Sequence, residues 1–280
     1  MPIATLELQL GLGFFASLAI GLLAYWRKSL SESGTIAAVV VGTLVFGFGG
    51  WAGATLLLGF FMSSTVLSRY KATAKEAVSQ DFSKGSRRDM WQALANGGVS
   101  AIAAVLAALT GHPALWLAMV GALAAANADT WATELGVLSK THPRLITSGA
   151  VVAPGTSGAV SVQGTLAALI GAGFIAGVGG VFWGAKEGAL AGLGVFVVGS
   201  VAGLAGSLFD SLLGATIQAS FYCDVCQKET EKHPLHRCGN PTRQIRGQAW
   251  MNNDVVNLLA TLCGALVAAG VWWLASSTLL

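Results

Sequence analysis

The sequence predicts an all-α polytopic membrane protein, a bundle of about eight transmembrane helices, on three observations. First, 54% of the 280 residues are hydrophobic and 10% are charged, whereas soluble domains average about 25% charged residues. Second, the apolar segments are continuous, whereas the strands of a membrane β-barrel alternate apolar and polar residues. Third, the 37 glycines suit close contact between helices in lipid, where small residues let backbones approach.

The spans follow from the roughly 20 apolar residues that a membrane-crossing helix needs. The first segment has the length of a span and no basic region before it, so we interpret it as a retained helix rather than a signal peptide. Short turns at 49–50, 110–113 and 183–186 predict three tight hairpins. We expect one integral membrane domain over 1–280, with a long loop at 217–253. The eight segments are about 7–25, 35–49, 51–68, 91–110, 112–130, 160–182, 187–216 and 254–277.

The basic residues orient the bundle. Of the 16 Lys and Arg residues, 15 fall in four connections, 26–34, 69–90, 139–159 and 217–253. Because basic loops stay in the cytoplasm, we predict cytoplasmic placement for these connections and external placement for both termini. We expect the host membrane to be a prokaryotic plasma membrane. The basic face would also attract anionic lipid headgroups or anionic substrates.

Acidic residues at the end of the fifth segment are the first unusual feature. The stretch "NADTWATELG" places Asn127 and Glu134 on one helical face, and Asp129 points about 140° away from Glu134. The two carboxylates therefore cannot chelate one ion from a straight helix. Either they have different roles or the helix breaks there. The plainer interpretation is a helix end at the interface with solvated acids.

The seventh segment carries a polar stripe beside an acid. Ser207, Ser211, Gly214 and Gln218 recur at helical spacing, and Asp210 adjoins them. An Asp inside a membrane helix costs roughly 2.5–3.5 kcal/mol on insertion scales. The stripe is either a packing seam with one acid satisfied by its neighbours or part of a functional site.

The last segment opens with "NNDVVN". Asn253 or Asp254 would serve as an N-cap, but capping does not explain Asn257, one turn after Asn253. Asp129, Asp210 and Asp254 then lie at a common depth on the basic side. Oxygen ligands of this kind suit Mg²⁺, which takes one or two carboxylates together with substrate phosphates. A proton or cation pathway would place similar acids near the middle of the membrane.

Two loops could bind phosphate. In "APGTSGAVSVQGT", the turn Gly155, Thr156, Ser157 and Gly158 offers N–H and O–H donors before a helix, as anion-binding turns do. It is not a P-loop, because it has no GK[ST] and no preceding strand. The second loop, "SKGSRRDMWQALANGG", is either ordinary cytoplasmic anchoring or a clamp on a polyphosphate. The candidate phosphate-binding residues of this loop are Lys84, Arg87, Arg88 and Asn96. Lys140 and Arg144, in the connection 139–159, could add to the clamp.

The cysteine-containing loop predicts a small structural zinc site. Cys223 and Cys226 form a CxxC pair, and Cys238 follows in the same loop. His236 or His233 would complete four ligands. A cytoplasmic loop argues against a stable disulfide. The alternatives are reduced, metal-free cysteines and, with less support from the sequence pattern, a redox CxxC.

Five motifs in order, "KGSRRDMWQALANGG", "ANADTWATELG", "PRLITSG…PGTSGAVSVQGT", "GSLFDSLLGATIQ" and "NNDVVN", resemble the membrane family that includes the plant phytyl-phosphate kinases and the transmembrane protein 19 group. The resemblance implies transfer of the γ-phosphoryl group of CTP, or another nucleoside triphosphate, to an isoprenyl monophosphate. It extends more distantly to CTP-dependent lipid kinases and cytidylyltransferases. The turn lacks the His and acidic pair of the cytidylyltransferases, which favours phosphoryl transfer.

We therefore expect a Mg²⁺-dependent isoprenyl-phosphate kinase in contact with membrane lipids and without nucleic acid; the sequence leaves a homodimer open. The alternatives are a CTP-dependent cytidylyltransferase and a transporter or lipid flippase. We expect catalysis from Asp129, Asp210, Asp254, Lys84 and Arg88, with Mg²⁺ on Asp129 and Asp210 and Zn²⁺ on Cys223, Cys226, His236 and Cys238. We expect substrate and nucleotide contacts from Arg87, Asn96, Asn127, Glu134, Lys140, Arg144, Gly155, Thr156, Ser157, Gly158, Ser207, Ser211, Gln218, Asn253 and Asn257.

Overall fold

The computed structural model describes residues 3–79 and 87–277 and shows a helical bundle. Within these residues, six helices are long and apolar enough to cross a membrane, namely α1, α2, α4, α6, α7 and α8. The α-helical class is confirmed, whereas eight crossings stay a prediction. The helices are α1 (Ile3–Trp26), α2 (Glu32–Arg69), α3 (Ala72–Ser79), α4 (Met90–Thr110), α5 (Pro113–Gly136), α6 (Val162–Glu187), α7 (Ala189–Thr216) and α8 (Asn253–Ser277).

Helix α2 turns back on itself at Gly50, which has φ 60° and ψ −154°. A Cβ added to Gly53 would lie 2.7 Å from the carbonyl oxygen of Val45. At the other end of α2, Arg69 Nη2 donates a hydrogen bond of 2.8 Å to the carbonyl oxygen of Arg27, just before α2 begins. A straight helix of 38 residues would be about 57 Å long, and its ends could not meet. The predicted hairpin at 49–50 is therefore confirmed, and segments 35–49 and 51–68 are its antiparallel halves.

Helix α5 forms the centre of the bundle and packs against α4, α6, α7 and α8. Every residue from Leu117 to Ala128 is buried, as expected of a helix surrounded on all sides. Small residues allow the close contacts: a Cβ on Gly121 would lie 2.4 Å from the carbonyl oxygen of Gly264 on α8. Helix α5 is absent from the six apolar helices, and its last turns carry Asn127, Asp129 and Glu134.

Two small antiparallel sheets occupy the loops between helices. In the first, β1 (Arg144–Leu145) pairs with β2 (Ala159–Val160). In the second, the order is β4-β3-β5, with β3 (Ser220–Cys223), β4 (Lys228–Thr230) and β5 (Arg243–Arg246). Both sheets lie in connections that the basic residues predict to be cytoplasmic.

Helix ends converge beside these sheets, and several are capped by side chains. Ser31 Oγ accepts from Gly34 N at the start of α2, and Ser161 Oγ accepts from Gly164 N at the start of α6. Asp89 and Gln92 form a capping box at the start of α4. The cap of α8 is Asn252, whose Oδ1 accepts from the N–H groups of Asp254 and Val255. The expectation that Asn253 or Asp254 caps α8 is therefore wrong.

Candidate active site

A polar cleft of about 300 Å³ lies where the ends of α4, α5, α6, α7 and α8 meet the two sheets. The packing brings together polar residues that are far apart in the chain. The last turns of α5 and α7 and the first turns of α4, α6 and α8 lie on the same side of the bundle. The predicted site residues that line it are Arg88, Asn96, Asp129, Glu134, Gly155, Thr156, Ser157, Gly158, Ser207, Asp210, Ser211, Gln218, Asn253 and Asn257.

Two carboxylates from neighbouring helices, Asp129 on α5 and Asp210 on α7, line the cleft. The negative charges of Asp129 and Glu231 both act on Asp210, so each of these two acids lies close enough to Asp210 to repel its carboxylate. Asp210 Oδ2 is buried and has no hydrogen-bond partner among the described residues. Burying an ionised carboxylate without a partner is costly. A divalent cation would compensate this charge, and the oxygen donors fit Mg²⁺.

Glu231, directly after β4, also lines the cleft, with Asp129, Glu134 and Asp210, and was not predicted. Its Oε1 accepts hydrogen bonds from Ser157 Oγ at 3.1 Å and from Gln218 Nε2 at 3.0 Å. It takes the place that we expect from the sequence for Asp254, which does not line the cleft. No sequence spacing marks Glu231, because the fold of the cysteine-containing loop alone brings it to α7.

The turn 154–158 packs against the end of α7 through glycine. Gly158 has φ 81°, and a Cβ there would lie 2.2 Å from the backbone nitrogen of Ala215. A Cβ on Gly214 would lie 2.8 Å from the backbone nitrogen of Gly158. Side chains at either position would push the turn out of the cleft, so this close contact requires the last glycine of "PGTSG" and Gly214 of α7.

Arg88 is held rigidly by its backbone at the entrance to α4. Its N–H donates to the carbonyl oxygen of Ser29 at 3.0 Å, and its own carbonyl oxygen accepts from Ser31 N at 2.9 Å. Burial lowers the pKa of the Arg88 guanidinium below its usual value, and the negative charge of Glu134 opposes that change. The cleft therefore contains a positioned cation as well as the acids.

Glu134 forms a buried ion pair with Lys75, which was also not predicted. Lys75 Nζ donates to Glu134 Oε2 and, at 2.7 Å, to the carbonyl oxygen of Leu67. Lys75 is 5% exposed, so the pair fixes the end of α5 against the end of α2. Glu134 thus lines the cleft with its charge already compensated.

Two predicted binding residues point elsewhere. Asn127 is fully buried: its Oδ1 accepts from Ser63 Oγ at 2.8 Å, and its Nδ2 donates to the carbonyl oxygen of Gly171 at 2.7 Å. It joins α2, α5 and α6 rather than lining the cleft. Arg87 Nε donates to the carbonyl oxygen of Leu30, and its guanidinium stacks 5.1 Å from the Tyr25 ring centre.

The other predicted cations and Asp254 are also not at the cleft lining. Arg144 Nη1 donates to the carbonyl oxygen of Gly149 and so closes its own loop, and Lys140 lies exposed in the same loop. Asp254 is turned about 100° from Asn253 on the helix, so Asn253 and Asn257 face the cleft and Asp254 does not. Lys84 lies outside the described residues.

The cysteine-containing loop brings four metal-ligating side chains together. The donor atoms of Cys223, Cys226, His236 and Cys238 all lie within 4.8 Å of one another. Cys223 Sγ is 3.6 Å from Cys238 Sγ, close to the ~3.8 Å edge of a tetrahedral Zn²⁺ site with thiolate ligands. Hydrogen bonds from Asn240 and His236 lower the pKa of the Cys238 thiol to about 5, which favours a thiolate.

The same geometry decides between the two histidines. His233 stacks on the Phe221 ring at 4.4 Å between ring centres, whereas His236 Nδ1 lies 3.3 Å from Cys238 Sγ. His236 is therefore the fourth ligand that fits the cluster.

The family described as "Integral membrane protein DUF92" matches residues 15–265 of the chain. The chain belongs to the DUF92 family. Every residue that lines the cleft falls inside the DUF92 match. This membership confirms the integral membrane class and the family that the motifs indicate.

DUF92 relatives occur in plants and archaea. "Protein PGR" of Arabidopsis thaliana is 37% identical over 259 residues, 85% of this chain and 88% of the relative. The "Uncharacterized membrane protein MJ0933" of Methanocaldococcus jannaschii is 30% identical over 275 residues, 97% of this chain and 99% of the relative. "Protein VTE6, chloroplastic" of Arabidopsis thaliana is 29% identical over 244 residues, 85% of this chain and 64% of the relative. No solved structure matches the DUF92 chain.

Proposed function

We propose that the protein is a membrane kinase that transfers the γ-phosphoryl group of a nucleoside triphosphate, CTP by preference, to an isoprenyl monophosphate. The observation that carries this proposal is the cleft, which is lined by Asp129, Asp210 and Glu231 together with Arg88 and the turn 154–158. The resemblance of the sequence motifs to the plant phytyl-phosphate kinases supports the choice of substrate. The one-sided distribution of Lys and Arg supports a cytoplasmic location for the cleft.

The carboxylates of the cleft would hold the metal that phosphoryl transfer requires. Asp129 and Asp210 are the proposed Mg²⁺ ligands, and the unpartnered Oδ2 of Asp210 is a free donor atom for it. When bound, Mg²⁺ would neutralise charge on the phosphates of donor and acceptor. Glu231 supports the site by fixing Ser157 and Gln218 through its Oε1.

The cation and the turn would position the anionic groups. Arg88 presents a guanidinium whose backbone is fixed at both its N–H and its carbonyl oxygen, and guanidinium groups bind phosphate oxygens in a forked geometry. The turn 154–158 precedes the start of α6, where helix N–H groups and the helix dipole favour anions. We assign Arg88 to the acceptor phosphate and the turn to the triphosphate.

The reaction needs no separate base. An oxygen of the acceptor phosphate attacks the γ-phosphorus, the bond from that phosphorus to the bridging oxygen of the β-phosphate breaks, and CDP leaves. The acceptor oxygen is already ionised, so positioning and charge neutralisation provide the catalysis. The residues of the cleft match that requirement.

The zinc cluster has a structural role in this proposal. Cys223 ends β3, and β3 pairs with β4, which ends directly before Glu231. Zn²⁺ on Cys223, Cys226, His236 and Cys238 would hold this sheet together. The cluster would thus keep Glu231 beside α7 without taking part in the chemistry.

The test is product analysis with purified protein, Mg²⁺, an isoprenyl monophosphate and CTP labelled in either the α- or the γ-phosphate. We expect the γ-label in an isoprenyl diphosphate and the α-label in CDP. Pyrophosphate release with the α-label in the lipid would instead identify a cytidylyltransferase. No transfer from any nucleoside triphosphate, together with lipid movement in liposomes, would identify a transporter or flippase.

A further inference from the structure

A second cavity, of about 280 Å³, lies between α1, both halves of α2 and the start of α4. Apolar and small side chains dominate its wall. Along the second half of α2 it extends from Trp51 to Phe61, about 15 Å at the rise of an α-helix. The lining of α1 from Leu12 to Gly21, about 14 Å, and of the first half of α2 from Ala38 to Phe46, about 12 Å, forms the other sides.

This apolar cavity meets the polar cleft at one end. Arg88, Gln92 and Asn96 line both spaces. The Arg88 guanidinium lies 5.9 Å from the centre of the Phe61 ring, which belongs to the apolar wall. A molecule with an anionic head and an apolar chain could therefore place its head in the cleft and its chain in the cavity.

We infer that the cavity between α1 and α2 holds the isoprenyl chain of the acceptor, with the monophosphate at Arg88. This inference rests on the proposed kinase function and adds the location of the chain. One apolar cavity with one cationic end fits a single chain with a monoester head. A bulk phospholipid has two chains and a diester head, and it would leave one chain outside.

The chain would be selected by shape rather than by hydrophobicity. Lipid tails are as apolar as the cavity wall, so moving the chain from bilayer to protein gains little from the hydrophobic effect. Fit against the small residues of the wall, such as Ala16, Ala38 and Ala54, must therefore discriminate between chains. Arg88 would supply the selection for the phosphate.

The first experiment is photolabelling in nanodiscs with an isoprenyl monophosphate that carries a diazirine at the far end of its chain. Labelled peptides are identified by mass spectrometry. We expect the label in the middle of α1 and in the second half of α2, with protection by excess unmodified monophosphate and none by the isoprenyl alcohol. A label confined to exposed positions such as Ile170 or Leu193 would overturn the inference, as would a label that the monophosphate does not displace.

A matched pair of variants adds a second test. Ala54→Phe, in the second half of α2, fills the cavity, whereas Val40→Phe adds a ring outside the cavity lining on the first half of α2, where Val40 is 50% exposed. We expect Ala54→Phe to reduce labelling by about tenfold, or about 1.4 kcal/mol of binding, and Val40→Phe to leave it unchanged. Equal labelling of both variants would contradict the proposed location. If Ala54→Phe does not elute as a folded protein, Ala38→Phe takes its place, and the wild-type label still decides.

Phosphoryl transfer measured in parallel separates this inference from the kinase proposal. Absence of transfer with a specific label between α1 and α2 would defeat the kinase and leave the binding site standing. Transfer with the label elsewhere would defeat the chain site and leave the kinase standing. For an active wild type, Ala54→Phe should lose long-chain acceptors while a five-carbon acceptor retains its rate.

Discussion

Ser157, in the glycine turn before α6, donates a hydrogen bond of 3.1 Å to Glu231, which follows the last residue of β4. Gln218, just after α7, donates to the same carboxylate oxygen. One acid therefore ties together the turn, the end of α7 and the cysteine-containing sheet. The proposed functions of these three parts depend on one another through this contact.

The metal assignment predicts that Asp129→Asn and Asp210→Asn each lower phosphoryl transfer by about 100-fold or more, the order of loss when a preorganised charge is removed. Neither variant should unfold, because each loses a charge that repels its acidic neighbours. Transfer rates and thermal unfolding in detergent measure the two effects. Asp224→Asn, at an exposed Asp paired with Arg243, is the control, and full activity in either cleft variant would refute the assignment.

Glu231→Gln tests whether the negative charge of Glu231 contributes to metal binding. The Gln side chain retains an oxygen for Ser157 and Gln218, so the turn should stay in place while the negative charge is lost. We expect the Mg²⁺ concentration for half-maximal activity to rise by about tenfold, or about 1.4 kcal/mol, as measured by Mg²⁺ titration. Glu187→Gln, at the exposed end of α6, should titrate like the wild type. An unchanged Mg²⁺ requirement in Glu231→Gln would limit this residue to a structural role.

Gly158→Ala should damage the cleft through packing alone. The new Cβ would meet Ala215 N at 2.2 Å, and the positive φ adds about 1–2 kcal/mol of strain. We expect a lower thermal midpoint and loss of phosphoryl transfer. Gly98→Ala, in α4 with open space around its Cα, is the matched control and should be neutral or stabilising by about 1 kcal/mol. Equal behaviour of the two variants would show that the turn does not depend on this contact.

The cysteine cluster predicts about one bound zinc per chain, the stoichiometry of a four-ligand site. Elemental analysis of purified protein measures it. Cys226→Ser should lower the zinc content and the thermal midpoint, whereas Cys263→Ser, in α8 away from the cluster, should change neither. His236→Ala should lower the zinc content and His233→Ala should not. A structural zinc site would be refuted if wild-type protein stripped of zinc unfolded at the same thermal midpoint as protein supplied with zinc.

The buried pair Lys75–Glu134 predicts strong coupling between the ends of α2 and α5. Lys75→Met leaves the Glu134 carboxylate without its close partner and should lower the free energy of unfolding by about 3 kcal/mol. Adding Glu134→Gln should restore part of that loss, because no unpaired carboxylate remains, while Arg88 loses the negative charge that favours its cation. A double-mutant cycle of unfolding measures the coupling, and additive effects would contradict it.

The acids within helices could be found from the sequence, because a carboxylate in an apolar helix is costly enough to require a reason. Asp129 and Asp210 were identified in this way, and the alternation of helix directions explains why they meet. Glu231 and Lys75 lie in polar segments, where charges are ordinary. Their positions depend on how a loop and a short helix pack back onto the bundle, and local periodicity contains no information on that packing.

Local sequence position also predicted the wrong location for two residues, Asn127 and Arg87, which do not line the cleft. Asn127 shares a face with Glu134, but neighbouring helices surround that face along most of α5, so Asn127 joins helices while Glu134 reaches the cleft. Arg87 and Arg88 are adjacent in the sequence, yet their opposite side-chain directions send one to Tyr25 and the other to the cleft. The backbone hydrogen bonds of Arg88 with Ser29 and Ser31 set the direction of both arginine side chains.

The turn at Gly50 has a consequence for counting. A topology that counted the 38 residues of α2 as one span would place the connections 26–34 and 69–90 on opposite sides of the membrane. The hydrogen bond from Arg69 to the carbonyl oxygen of Arg27 joins these two connections, and such an arrangement would separate them. Gly50 therefore determines whether the connections 26–34 and 69–90 are assigned to the same side of the membrane.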